Sequence, residues 1–309
     1  YPHWELNVLN NQSKDNTVPW LKSLGDKRIR LWHSDTSLSI VDSWARMKKL
    51  DKQEYMTMIG HDDKFDPGFL ATIKMLIERH PRAALYQTGS RLINSDGKTI
   101  RSCREVPELE TAAEYLKARF GFRRDTFGTG FVMRSADYDR LGGIPSFEKL
   151  FFADDALWLS LILGSCKASD QGELFSVRIH PKSESASLPS AWSSILLGLN
   201  QFKQFLDEYV KKDEAVRRVI ADYGPGFWLT YHRNIYIFAL IEASIANRSV
   251  ARSTFERINS SLAESAPSVA NKLQRSFKVA AIEKLNSSAL RRLVPHLWKL
   301  YNSVKSAAG

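Results

Sequence analysis

Cysteine is scarce in this chain of 309 residues: Cys103 and Cys166 are the only two. Two thiols make neither a disulfide framework nor the ligand spacing of a zinc site, and they fit a reducing compartment, most simply the cytoplasm. Long apolar runs are missing as well. The nearest candidate, Phe227 to Ala246, is interrupted by His232, Arg233 and Glu242, so it reads as a buried amphipathic helix rather than a bilayer span. No signal peptide is legible, and there is no internal repeat and no extended low-complexity tract. No recognised nucleic-acid motif is present either.

What is there is an ordinary globular composition, 43% hydrophobic and 25% charged, long enough for one large domain or two smaller ones. The net charge of +10 is unevenly placed. Residues 1–188 carry 27 Lys and Arg against 25 Asp and Glu, whereas residues 189–309 carry 17 against 9. The basic character therefore belongs to the C-terminal part, where nucleic acid, an anionic membrane or no specific partner would each account for it.

Residues 1–188 alternate strand-like and helix-like pieces. Strands are expected at Trp4 to Leu9, Arg28 to Trp32, Tyr55 to Ile59, Ala83 to Thr88 and Leu174 to Ile179, with another approached through Gly128-Thr129-Gly130. Asn94-Ser95-Asp96-Gly97 marks a hairpin between Arg91 and Arg101. Helices are expected at Val18 to Leu24, Ser39 to Leu50, Gly68 to Arg79, Glu110 to Phe120 and Ala156 to Leu163. The alternation predicts an α/β fold with a mostly parallel central sheet and helices on both faces. A polar stretch at 183–190 reads as a linker. Beyond it residues 189–309 form an all-α C-terminal domain, with interruptions expected at Gly224-Pro225-Gly226, at Ala266-Pro267 and at Pro295.

Three chemically suggestive groups stand at strand ends. Asp62 and Asp63 follow the Tyr55 to Ile59 strand, on the sheet edge where open α/β sheets bind ligands. Asp154 and Asp155 precede a helix, and Arg178-Ile179-His180 closes the last strand. Singly, each has a plain alternative: helix-capping acids facing solvent, or a loop histidine before a proline.

Taken in order they resemble the nucleotide-sugar-dependent glycosyltransferases of the GT-A fold, specifically the inverting family 2, over roughly residues 1–185. Tyr1 to Thr17 looks like that family's second strand and its polar loop. The usual first strand and helix are missing from the chain as it stands. His61-Asp62-Asp63 followed by Pro67 resembles the metal-binding DXD region, with Gly60 where a strict DXD has its first Asp. Leu141-Gly142-Gly143 and then Asp154-Asp155-Ala156-Leu157-Trp158 resemble the Gly-Gly segment and the Glu-Asp pair. Arg178-Ile179-His180-Pro181 with Ser183 resembles the closing Arg-x-His segment.

The resemblance implies a metal-dependent inverting hexosyltransferase that moves a sugar from a nucleoside-diphosphate sugar, a UDP-sugar first, to an acceptor hydroxyl. Asp62, Asp63 and His180 would hold Mn²⁺ or Mg²⁺, a histidine tilting the preference toward manganese. Asn10, Asn11, Ser13, His61, Asp62 and Asp63 would meet the nucleotide. Asp155 would be the general base. Gly128, Thr129, Gly130, Gly142, Gly143, Asp154 and Trp158 would border the sugar and acceptor. The implied setting is assembly of bacterial surface polysaccharide, such as O-antigen or capsule, on a saccharide or lipid-linked saccharide acceptor. The stretch Leu290 to Tyr301 is basic and amphipathic, and no acid follows Glu283. It offers either a helix packed on its neighbours or a peripheral contact with the inner face of the cytoplasmic membrane. Two other classes stay in view. A nucleotidyltransferase-like enzyme would carry a glycine-rich phosphate loop and a lysine near the first strand, the strand missing from the chain as it stands, so that class stays open. A non-catalytic basic module would bind nucleic acid in a salt-sensitive way, a partner the missing motifs argue against.

Overall fold

The computed structural model describes residues 1–180, 184–209 and 211–297. In chain order, β1 (Leu6–Asn10), α1 (Thr17–Ser23), β2 (Ile29–His33) and α2 (Ile40–Ala45) come first. Then follow β3 (Tyr55–Thr57), β4 (Lys64–Phe65), α3 (Phe69–Arg79), β5 (Leu85–Ile93), β6 (Thr99–Ser102) and β7 (Leu109–Glu110). The sheet region ends with α4 (Ala112–Phe120), β8 (Phe131–Arg134), α5 (Ser135–Arg140), α6 (Ala153–Ile162) and β9 (Lys167–Arg178). The helical region holds α7 (Trp192–Tyr209), α8 (Glu214–Ile245), α9 (Arg252–Ser265) and α10 (Phe277–Asn286).

β1 and β2 pair in parallel as a small separate sheet. The main sheet runs β3-β8-β5-β9-β4, with β6 on β5 and β7 on β9. The α/β class and the all-helical C-terminal region are as expected, but the main sheet is mixed rather than mostly parallel. Only β5 and β9 pair in parallel within it, and every other pairing is antiparallel. Alternating strands and helices fix the layers, not the direction in which each strand returns. The β5–β6 turn is the hairpin expected at Asn94 to Gly97. Gly97 takes φ +82°, and the Asn94 side chain accepts from the Asp96 and Lys98 N–H groups.

Alternation along the central strands divides the core. Leu85, Phe131 and Met133 face one apolar cluster, while their neighbours Tyr86 and Val132 face the other. Phe69, Ile73 and Leu76, the i, i+4, i+7 stripe of α3, cover the second face. α4 and α6 cover the first, and that cluster continues without a break through α7 and α8 to Val294. The helical region after residue 188 thus shares the core of the sheet.

Two helical details depart from expectation. α8 runs unbroken through Gly224-Pro225-Gly226. Pro225 removes one backbone donor, yet Phe227 and Trp228 are buried just beyond it and the Thr230 hydroxyl donates to the Gly226 carbonyl at 2.8 Å. Burial of that apolar turn outweighs the local break. The α6 helix begins at Ala153 rather than Ala156, which puts both Asp154 and Asp155 in its first turn. The break at Ala266-Pro267 stands where expected, with Pro267 opening a 3₁₀ turn. Pro181 and Ser183 of the closing segment, and 298–301 of the basic stretch, lie outside the described residues, as does part of the 183–190 linker. Among the described residues no helix is long and apolar enough to cross a membrane.

Candidate active site

The site grows from the loop after β3. Asp62 is half-buried, with Oδ2 at 3.0 Å from His180 Nε2 and Oδ1 at 3.2 Å from His61 Nε2. His61 also acts on Asp15: hydrogen bonds from Thr17 chiefly lower that carboxyl, and the His61 charge adds to them. The loop after β1 is therefore within electrostatic reach of the Asp62 loop.

Asp63 turns the other way. The Arg178 backbone N–H donates to its Oδ1 and the Thr129 hydroxyl to its Oδ2, both at 3.1 Å. Burial raises its carboxyl, the two hydrogen bonds oppose that rise, and the neighbouring Asp62 adds to it. Glycine at position 60 belongs to the same arrangement: a Cβ there would stand 3.2 Å from Asp63 Oδ2. Arg178 fastens the loop from β9, donating through Nε to the Asp62 carbonyl at 2.9 Å and through Nη1 to the carbonyls of Asn94 and Ser95.

The second acidic pair starts α6 after a strained approach. Lys149, Leu150 and Phe152 all take left-handed φ values, +48°, +60° and +64°, at roughly 1–2 kcal/mol each for residues with a Cβ. Packing holds Phe152 there: its ring stacks on Phe202 at 5.6 Å and meets Tyr231 edge-on at 5.1 Å. Such strain gathers where a site over-determines the backbone.

Consecutive helical residues point about 100° apart, so the pair divides. Asp155 turns into the core, 3% exposed. Arg119 Nε donates to both of its oxygens, at 3.1 and 2.9 Å, and Tyr115 Oη lies 3.4 Å from Oδ1. Burial works against the Arg119 charge, but Asp155 and Tyr231 outweigh it and raise the guanidinium above its ordinary pKa. The rings of Phe227 and Tyr231 enclose that guanidinium at 5.3 and 5.6 Å. Beyond Tyr115 lies a second buried ion group, Glu110 with Lys167 at 2.6 Å and with Arg124. Burial pulls Lys167 down to about 8.

Asp154 is half-buried where Asp155 is buried. A Cβ on Gly128 would stand 3.6 Å from its Oδ2, so bare backbone lines the carboxylate. Burial first, and the adjacent Asp155 charge second, push its carboxyl up to about 7, with Arg119 pulling the other way. A carboxyl poised there suits proton transfer near neutral pH.

One continuous array results. Asp62 pairs with His180, Asp63 accepts from Thr129, and Gly128 next to Thr129 lies where a Cβ would reach Asp154. The structure places the other expected site residues as follows. Asp155, expected as the base, is buried with both oxygens paired to Arg119. Asp63, expected as a metal ligand, has both oxygens engaged. Trp158 is a core residue, 1% exposed and packed on Phe131 at 4.6 Å, not an acceptor contact. Gly130 serves packing, since a Cβ there would strike the Phe175 ring at 2.4 Å. Gly142 and Gly143, at φ +77° and +81°, form the turn after α5, Gly143 lying against Lys48 and Tyr138. Asn10 and Asn11 spend their amides on the fold: Asn10 pairs with His33 at 3.2 Å and accepts from the Ser13 N–H, and Asn11 exchanges two hydrogen bonds with Leu38.

No three His, Cys, Asp or Glu side chains among the described residues converge as a metal-holding group. Asp62 with His180 is the one expected ligand pair brought together. One carboxylate with a histidine suits Mg²⁺ or Mn²⁺ only where substrate phosphates supply further oxygens.

Arg119 was absent from the expected site. Its signal is nevertheless in the sequence: it occupies position i+7 of the buried α4 stripe Ala112, Tyr115, Leu116, Arg119, Phe120. A charge on an apolar stripe requires a buried partner.

No protein-family model and no curated protein sequence matches the chain. Among solved structures, the crystal structure of S. aureus TarS 1-349 superposes with a TM-score of 0.51 at 14% identity, over 96% of this chain and 82% of that one. A second crystal structure of S. aureus TarS gives 0.52 at 14% identity, over 94% and 49%. TarS 1-349 in complex with UDP gives 0.46 at 13% identity, over 96% and 82%. TarS is a glycosyltransferase. The likeness is one of fold, and this chain has a TarS-like glycosyltransferase fold.

Proposed function

We propose that the chain is an inverting glycosyltransferase of family 2 type, moving a sugar from a nucleoside-diphosphate sugar to an acceptor hydroxyl. The observation that carries this reading is the continuous array in which the Asp62–His180 pair connects, through Asp63, Thr129 and Gly128, to a carboxyl held near neutrality at Asp154. Asp154, not Asp155, is the general base. It takes the proton of the acceptor hydroxyl as that oxygen bonds to the anomeric carbon. The carbon–oxygen bond to the diphosphate breaks on the opposite face, and the diphosphate leaves with the electron pair. Positioned proton transfer of this kind is worth about 10²–10⁴ in rate.

Asp62 and His180 stand at the diphosphate end. A divalent cation, Mn²⁺ or Mg²⁺, would be held by these two residues and would supply Lewis-acid stabilisation of the leaving group. The loop after β1, with Asn10, Asn11 and Ser13, faces the nucleoside through its backbone and exposed groups, because the asparagine amides already serve the fold. A saccharide or lipid-linked saccharide acceptor, as in surface-polysaccharide assembly, completes the reaction. The helical region from 189 onward forms a second domain built onto the same core.

The test is a thermal-shift screen of UDP-, GDP- and dTDP-sugars with and without Mn²⁺. One nucleotide is expected to raise the unfolding midpoint, UDP-sugars foremost, and more so with Mn²⁺. A flat response to every nucleotide sugar, metal present or not, would remove the proposal.

A further inference from the structure

Past Asp154 the array does not end. Asp155 beside it holds Arg119, and the Arg119 guanidinium lies 5.6 Å from the Tyr231 ring. Tyr231, from α8, stacks with Phe122 at 6.0 Å and 27°. Phe122 in turn stacks on the fully buried Phe227 at 5.8 Å and 22°. Phe122 itself is 41% exposed and takes a left-handed φ of +53°. A large ring that pays backbone strain and still shows nearly half its surface is not filling a core.

Two stretches of backbone tie this ledge to the base. Phe122 opens the loop that ends with Gly128 against Asp154. Phe152, two residues before Asp154, meets Tyr231 at 5.1 Å. The contacts therefore run in one order: the Asp62–His180 pair, then Gly128 and Asp154, then Arg119, then Tyr231 and Phe122.

We infer that Phe122 and Tyr231 form an acceptor subsite, a ledge on which the apolar ring face of a saccharide lies with a hydroxyl directed to Asp154. The helical region thereby contributes to the reaction through one α8 side chain. The chemistry is general: a pyranose presents a C–H face to an aromatic ring and its hydroxyls to polar neighbours, and sites for small ligands combine such apolar floors with a few placed polar groups. A nucleobase would also stack, but the proposed reading gives the nucleotide to the Asp62–His180 pair and the loop after β1. The role of the ledge as acceptor site rests on the proposed transferase reading, whereas its binding of saccharide does not.

The test is saturation-transfer NMR on the intact chain, without donor, using lactose, maltose and diacetylchitobiose at millimolar concentration. At least one disaccharide is expected to receive saturation on its ring C–H protons. Phe122→Ala and Phe122→Leu should each weaken that binding about tenfold, the leucine keeping the apolar contact with Phe227 without a ring. The alanine variant should lose a little unfolding midpoint with its stacking on Phe227 and the leucine variant less, and UDP binding should not change in either. Equal saturation in wild type and both variants would overturn the ledge, as would no saturation of any disaccharide in the wild type. If disaccharide binds on the ledge while no nucleotide sugar is bound or cleaved, the subsite stands and the transferase reading falls.

Discussion

The molecule contains two Asp-Asp pairs, and they divide their work in the same direction by different means. In each, the second acid is committed to the scaffold, and the first is half-buried and carries the proposed chemistry. Asp63 is held by neutral donors, the Arg178 N–H and the Thr129 hydroxyl, on a loop. Asp155 is held by a guanidinium, in the first turn of a helix and inside the core. A loop acid secured by neutral hydrogen bonds can be replaced at modest cost. A buried acid that balances a buried cation cannot, because removing one partner strands the other. The same contrast sets the properties of the first acids. Asp62 sits against imidazoles, whereas Asp154 sits beside an uncompensated share of the Asp155 charge and is driven toward neutrality.

The sharpest way to break the comparison is at Asp154. Asp154→Asn is expected to lower kcat by about 10²–10⁴ while leaving UDP-sugar binding near the wild-type value. In the wild type, kcat/KM should rise with pH through about 7, where Asp154 loses its proton. Stability moves oppositely. The folded carboxyl titrates above its ordinary 3.8, so the native state holds the extra proton between about 4 and 7. Its contribution to stability is complete at low pH and is lost as pH rises through that window. The Asn variant should lose this slope. Wild-type turnover in Asp154→Asn would dismiss the residue as base.

Asp155→Asn should act on the fold instead. It leaves Arg119 buried without its countercharge, at a cost of about 3–5 kcal/mol, read by urea denaturation. Replacing both partners, Arg119→Leu with Asp155→Leu, should recover much of that loss. The single variant should also move the acid limb of the pH profile downward, since the Asp155 charge that adds to burial in raising Asp154 is gone. A stable, inactive Asp155→Asn would reverse the two assignments.

Much of this is legible in the sequence, and what is not has particular causes. The two Asp pairs, His180 and Arg178 stand out by their positions at strand ends. Which member of each pair turns inward does not. For Asp154 and Asp155 the answer depends on where α6 begins: a start at Ala156 leaves both on a loop, while the actual start at Ala153 separates them by a helical step. For Asp62 and Asp63 it depends on Thr129 and Arg178, distant in sequence and brought near by β8 and β9. Strand direction was likewise hidden, because a buried strand reads the same whichever way its neighbour runs. The Gly-Pro-Gly of α8 misled for a related reason, since a local breaker cannot reveal that the next turn carries Phe227 and Trp228 into the core.

The last contrast is the smallest and concerns the first pair alone. Asp63→Ala removes two hydrogen bonds that anchor the loop to β9 and to the approach of β8. A hydrogen bond is worth about 0.5–1.5 kcal/mol net, so a loss of about 1–3 kcal/mol in unfolding free energy is expected. Burial already opposes the Asp63 charge, which sets the outcome toward the lower end. Asp62→Ala touches only His61 and His180 among its paired groups, and a half-exposed loop change of that kind stays within about 0.5 kcal/mol. Its effect should appear in Mn²⁺-dependent UDP binding measured by calorimetry, where Asp63→Ala changes affinity less than Asp62→Ala does. If Asp63→Ala proved the stable variant and Asp62→Ala the unstable one, the inward turn of the second acid would be wrong for this pair, and the parallel with Asp154 and Asp155 would fail with it.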